Sequence, residues 1–190
     1  MTSTQQPAQE QVERFVLAAH GDFPTVQTLL AENPALLDAK WQRFDEAAIE
    51  AAAHMGRREI AEHLLAAGAP SNICVAAMLG RTEEVAAFLK DDPSFANAKG
   101  AHGIPVMLHA AYSGKTEIAD LLLAHGGGEG LGAALHAAIR PGHEAMVRWL
   151  LDHGADPNTP DFEGKTPLRV ATELGRAEIA DLLRERVGQE

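Results

Sequence analysis

Nine histidines are the residues of this 190-residue chain best suited to chemistry. Imidazole serves near neutral pH as a general base, a proton sensor or a metal ligand. They are His20, His54, His63, His102, His109, His125, His136, His143 and His153. No two form an H-x-x-x-H or H-E-x-x-H pair, the spacing that sets two ligands on one helix face. A metal or proton-sensing site therefore needs histidines from different elements. Other chemistry finds less support. Ser3, Ser71, Ser94 and Ser113 lie in no G-x-S-x-G context, so no nucleophilic triad is indicated. Cys74 is the lone cysteine, too few for an internal disulfide or a thiolate zinc site, and reads as a small buried hydrophobe. Gly126-Gly127-Gly128 lacks the Lys-Ser/Thr and the preceding strand of a phosphate loop. The pairs Glu83-Glu84 and Asp91-Asp92 read as solvated helix ends. Nothing in the chain asks for an enzyme, a cofactor or a resident metal.

Composition narrows the fold that must position these groups. Ala and Leu number 56 against 16 for Val plus Ile, which favours helices over strands. Apolar residues reach 46%, enough for a core. The net charge of −11 argues against a nonspecific grip on nucleic acid or an anionic membrane. No apolar run is long enough to span a bilayer. Residues 1–10 have neither the positive start nor the apolar stretch of a signal peptide. They read as a polar, disordered tail ahead of one domain over 11–190, and the expected location is cytoplasmic.

One phrase recurs six times: small residues, a variable position or two, Gly, then a polar step. It reads L-A-A-H-G-D, A-A-H-M-G-R, A-A-M-L-G-R, A-A-Y-S-G-K, A-I-R-P-G-H and A-T-E-L-G-R. The glycines are Gly21, Gly56, Gly80, Gly114, Gly142 and Gly175. Eight residues past each comes a large apolar residue: Leu29, Leu64, Phe88, Leu122, Leu150 and Leu183. Each unit thus reads as a small-faced helix, a glycine turn and an amphipathic helix. Gly68, Gly126 and Gly154 fall twelve residues past a turn glycine, where a helix C-cap is expected. His125 and His153 precede two of these caps, at the negative end of a helix dipole. Asn33-Pro34 and Asp92-Pro93 end the second helix in units one and three. Arg184, in place of a second Leu, fits an exposed terminal unit.

The segment Asp161-Phe-Glu-Gly-Lys-Thr-Pro-Leu-Arg-Val-Ala171, followed by Gly175, resembles the ankyrin repeat pattern D-x-x-G-x-T-P-L-H-x-A. Leu151-Asp-His-Gly-Ala-Asp-Pro-Asn158 is similar to the family's L-L-x-x-G-A-D-x-N. The six units cover roughly 11–186, with the motif strongest in the last two. The resemblance implies an all-α solenoid of about six helix–turn–helix repeats with partial β-hairpin fingers. It also implies structural roles for His109 and His136. Turn-glycine spacings of 35, 24, 34, 28 and 33 allow full fingers only in the three long steps. Gly126–Gly130 in one short step reads as a tight, flexible link.

In this family the fingers and first helices line a concave face where protein partners bind. The register places Trp41, Arg43, Phe44, His102 and Phe162 there from the fingers. From the first helices it adds His54, Met55, Met78, Tyr112, Arg140 and Glu173. Aromatics, Met and Arg are enriched at interfaces. The expected function is a non-enzymatic scaffold, adaptor or regulator, a monomer that binds one protein partner. Trp149 is expected to pack in the outer layer. The second reading is a metal- or small-ligand-responsive sensor built on His20, His54 and His102 across adjacent units.

Overall fold

The computed structural model describes residues 7–187. Twelve α-helices occur among them, in six consecutive pairs. They are α1 (Gln9–Ala19) with α2 (Phe23–Glu32), α3 (Ala48–His54) with α4 (Arg58–Ala66), and α5 (Ile73–Leu79) with α6 (Thr82–Asp91). Then follow α7 (Val106–Ser113) with α8 (Thr116–Ala124), α9 (Leu131–Ile139) with α10 (Glu144–Asp152), and α11 (Pro167–Glu173) with α12 (Ala177–Val187). Every expected turn glycine separates the two helices of its own unit, and the chain is an all-α solenoid. Helix α1 starts at Gln9, inside the segment read as a tail. Residues 1–6 of that segment lie outside the described residues.

Local sequence accounts for the punctuation. The turn glycines from Gly56 onward all have φ between +65° and +91°, a region costly for any residue with a Cβ. Gly68, Gly126 and Gly154 are also left-handed, as C-caps require. His125 and His153 each donate Nδ1–H to the carbonyl four residues back, at 2.8 and 2.7 Å. Asn33 and Asp92 cap the short 3-10 turns Pro34–Leu36 and Pro93–Asn97.

First helices bury their alanines, among them Ala52, Ala76, Ala110 and Ala138, so their backbones approach closely. Second helices supply bulk through Leu64, Leu122, Leu150 and Leu183. In the third unit the buried side chain is Leu89, one residue later than expected, while Phe88 is only half-buried. Arg184 is exposed, as its place in the last unit suggested. The buried residues divide into two cores. One runs from Val12 to Leu79 and the other from Ile73 to Leu183, and helix α5 contributes to both.

The three long steps all leave the helical stack, but only the first forms a ladder. There β1 (Lys40–Trp41) pairs antiparallel with β2 (Glu46–Ala47). The second finger has a single bridge between Lys99 and Pro105. The third is a turn in which Asp161 Oδ1 accepts from the Glu163 and Lys165 amides, each at 2.9 Å. The glycine link is held rather than loose. A Cβ on Gly127 would lie 2.4 Å from the Ala96 carbonyl oxygen, so two backbones meet there.

Two stability outcomes follow from this packing. Leu150→Ala should cost about 2–5 kcal/mol in urea unfolding, in line with other fully buried leucines. Gly56→Ala should cost more than Gly154→Ala. Both positions are left-handed, but a Cβ on Gly56 would meet the Tyr112 ring at 2.6 Å, whereas Gly154 has open space. Equal losses would mean that the ring moves aside freely.

Candidate functional site

A groove of about 650 Å³ opens on the face made by the fingers and first helices. Its walls include His54, Met55, Tyr112, Arg140 and Phe162 of the expected set, joined by Arg57, Leu108, His136, Asp161 and Leu174. Phe162 is 90% exposed and Leu174 45%, large apolar side chains held in water. Arg140 approaches Asp161 at 3.3 Å across one rim. Burial alone would raise the Asp161 carboxyl, but the Lys165 and Glu163 amides and nearby positive charge hold it below the usual range.

Beside the groove, an imidazole cluster surrounds one carboxylate. Glu46 is completely buried at the base of the first finger. His54 Nδ1 stands 3.2 Å from its Oε1, and His102 Nε2 stands 3.4 Å from its Oε2. Neither contact is well aligned, and both carboxylate oxygens lack a proper hydrogen-bond partner. Burial pushes the Glu46 pKa up, but His54 and the neighbouring His102 and His20 outweigh it and hold the group below its ordinary value. His20 and His54 stack edge to face at 5.0 Å, and His54 and His102 at 5.1 Å. His20 Nδ1–H donates to the Val16 carbonyl at 2.9 Å, and His54 Nδ1 lies 3.1 Å from the Glu50 carbonyl.

The expected site residues separate into distinct places. Trp41, Arg43 and Phe44 form a knot on the first finger. Trp41 and Phe44 rings lie 4.8 Å apart, and the Arg43 guanidinium sits 5.2 Å above Phe44. Phe44 then meets His102 of the second finger at 5.3 Å. Glu173 is exposed and paired with Lys165 and Arg169, each at 2.9 Å. Two assignments need correction. Met78, expected on the open face, is 1% exposed and belongs to the core. His54 is 8% exposed, so it is recessed into the cluster rather than offered as a surface contact.

The burial of Met78 has a physical cause. The short step from Gly56 to Gly80 makes no finger. Helix α7 therefore reaches past α5 to α3, and the Tyr112 ring lies on Gly56. Other turns are covered by the next unit in line: Arg57 lies over Gly21, His143 over Gly114 and Arg176 over Gly142. These three also donate to carbonyls closing the preceding first helix, at His20 (2.6 Å), Tyr112 (3.0 Å) and Arg140 (2.7 Å). That role was visible in sequence as a basic residue after five of the six turn glycines, but it was not read. Glu46 was also missed, since one Glu in a hairpin carries no signal of burial. His109 and His136 are buried and donate to Pro105 O and Thr159 O, tying helix to finger. Trp149 is half-buried on the outer layer and donates to Asp120 at 2.8 Å.

Comparison with known proteins agrees with a solenoid of helical repeats. A family model described as ankyrin repeats, three copies, matches residues 73–161 and 109–190. Human cyclin-dependent kinase inhibitor 2A is 34% identical over 125 residues, 61% of this chain and 77% of that protein. The putative ankyrin repeat protein YahD of Escherichia coli (strain K12) is 55% identical over 40 residues, 21% of this chain and 20% of YahD. A transient receptor potential cation channel subfamily A member 1 homolog of Caenorhabditis elegans is 45% identical over 51 residues, 27% of this chain and 4% of the channel. The chain therefore spans most of the kinase inhibitor but a small part of the other two. It belongs to the ankyrin repeat family. Among the described residues, no helix is long and apolar enough to cross a membrane.

His109 gives this region a pH dependence. Burial pushes its imidazole down from 6.5 to about 4, so the folded state holds it neutral. Between those values the unfolded chain binds the extra proton, so stability falls as pH drops from about 6.5 towards about 4. The full effect is at most about 3 kcal/mol. Urea melts of His109→Gln across that window should show a shallower pH slope than the parent chain. An identical slope would assign the effect to other groups.

Proposed function

We propose that this chain is a non-enzymatic recognition module, an adaptor or regulator, and that a protein partner seats in the groove between the second and third fingers. The observation that carries the reading is Phe162, 90% exposed at the rim of a groove that also holds Tyr112, Met55 and Leu174. Holding a phenylalanine in water is unfavourable, and a partner that covers it recovers the burial. Aromatic and Arg anchors ringed by polar groups are the composition of interface hot spots. Membership of the ankyrin repeat family supports a protein as the occupant. Trp41, Arg43 and Phe44 extend the same face at the first finger.

The net charge of −11 favours a partner with a basic patch, drawn in faster at low salt. We infer that the module works as a cytoplasmic monomer, without nucleic acid or membrane as ligand. A photo-crosslinking residue at position 162 should join the chain to its partner in source-cell lysate. With that partner purified, Phe162→Ala combined with Leu174→Ala should weaken binding at least about tenfold, roughly 1.4 kcal/mol, with an unchanged melting curve. Unaltered affinity in the double variant would remove the groove as the binding site.

A further inference from the structure

We propose that His20, Glu46 and His54, with His102 alongside, form a binding site for one divalent transition-metal ion of the zinc class. One ligand atom from each of the first three lies within 4.8 Å of the others. Ligands at about 2.0–2.2 Å from a tetrahedral ion stand about 3.3 Å apart, so closure asks each side chain to move by less than about 1 Å. The His102 Nε2 lies 3.4 Å from the other carboxylate oxygen, Oε2, outside this three-residue group, so a water molecule is the expected fourth ligand. Two or three imidazoles with one carboxylate suit zinc and its neighbours rather than calcium or magnesium, which take oxygen donors.

The buried carboxylate is the second, independent observation. Glu46 is fully enclosed, yet neither oxygen has an aligned hydrogen-bond donor. A buried, unsatisfied carboxylate is costly unless a cation or strong donors face it. Helix α1 presents His20 with Nδ1–H held by the Val16 carbonyl, which leaves Nε2 as the free nitrogen. This is the backbone anchoring seen behind metal-ligating histidines. The backbone is also shaped towards the cluster. Asp45 and His102 are the only non-glycine residues with positive φ among those described, at +51° and +58°, and they flank Glu46 from the two fingers. His102 has a 37% exposed side chain, so the site opens to solvent.

Such an ion joins three pieces of chain, the end of α1, strand β2 and the end of α3, with His102 of the second finger alongside. It ties the first two units together and borders, through the contact of His102 with Glu46, a finger that belongs to the other core. The inference does not depend on the partner reading, because metal binding is measured without a partner.

The test uses the full chain without an affinity tag, treated with chelator and then titrated with zinc by calorimetry and with cobalt by visible absorption. The expected result is one ion per chain with Kd at or below about 10 µM. Cobalt should give the intense visible bands of a four-coordinate site, and zinc should raise the melting temperature. Glu46→Gln and His20→Ala should each weaken zinc by about a hundredfold, with His125→Ala at the parental value. Failure of the parent chain to bind one zinc in this range would overturn the proposal, whatever the variants do. So would parental affinity in folded Glu46→Gln or His20→Ala, which would place the ion elsewhere.

Discussion

The 24-residue step from Gly56 to Gly80 is too short for a finger, and much of the molecule answers to that shortage. A full repeat places its finger beside the fingers before and after it. Here the third unit has none before it, and all seven residues of α5 are buried. Tyr112 from the fourth unit passes over it and lies on the backbone of Gly56. The left-handed φ of Gly56 and the absence of a Cβ are both needed for that contact. Elsewhere Arg57, His143 and Arg176, each the residue after a turn glycine, reach back to the preceding unit. At this step Arg81 turns instead to Glu84, and Arg58 of the second unit donates forward to the Leu79 carbonyl at 3.0 Å.

The same omission makes neighbours of two fingers that would otherwise stand one apart. Phe44 meets His102, and Glu46 meets both His54 and His102. The two buried cores interleave at α5, so the histidine cluster sits over the boundary between them. In a stacked array each interface contributes its own share of stability, and a weak one separates first. At this boundary the buried residues of α5 carry the packing, and the Tyr112 ring on Gly56 adds a direct contact between the flanking units. A carboxylate ringed by imidazoles at that boundary is in position to reinforce it.

Much of the fold was legible because it rests on local, periodic signals. Turn glycines, the leucines eight residues later, proline stops and C-cap glycines act within one unit, and they lie where their spacing implied except in the third unit, where Leu89 replaces Phe88 in the core. Met78 was not legible. It occupies the register of an open-face residue, and only the three-dimensional displacement of α7 over α5 buries it. Glu46 was hidden for the opposite reason: its neighbours in sequence are an ordinary hairpin, while the histidines that surround it come from positions 20, 54 and 102. His20, His54 and His102 were grouped from the sequence because adjacent units share one face. The central glycines show the limit of composition. Gly127 reads as flexible, yet its role is to let its own backbone touch that of Ala96.

The groove and the cluster are mechanically one system. His54 belongs to both, and it stands with Met55, Gly56 and Arg57 as the only stretch of the groove wall contributed by the first two units. The remaining wall comes from the fourth unit onward and from the second and third fingers. The width of the groove is therefore set by how the first block lies against the second. Tyr112 on Gly56 fixes that relation from inside the groove, and the Glu46 cluster fixes it from the finger side. Glu46 meets the lining only through His54, so a change at Glu46 would reach the groove by way of that side chain. Rigidity of this kind lowers the ordering cost of binding without adding a contact, so selection on recognition would act on residues that a partner never meets.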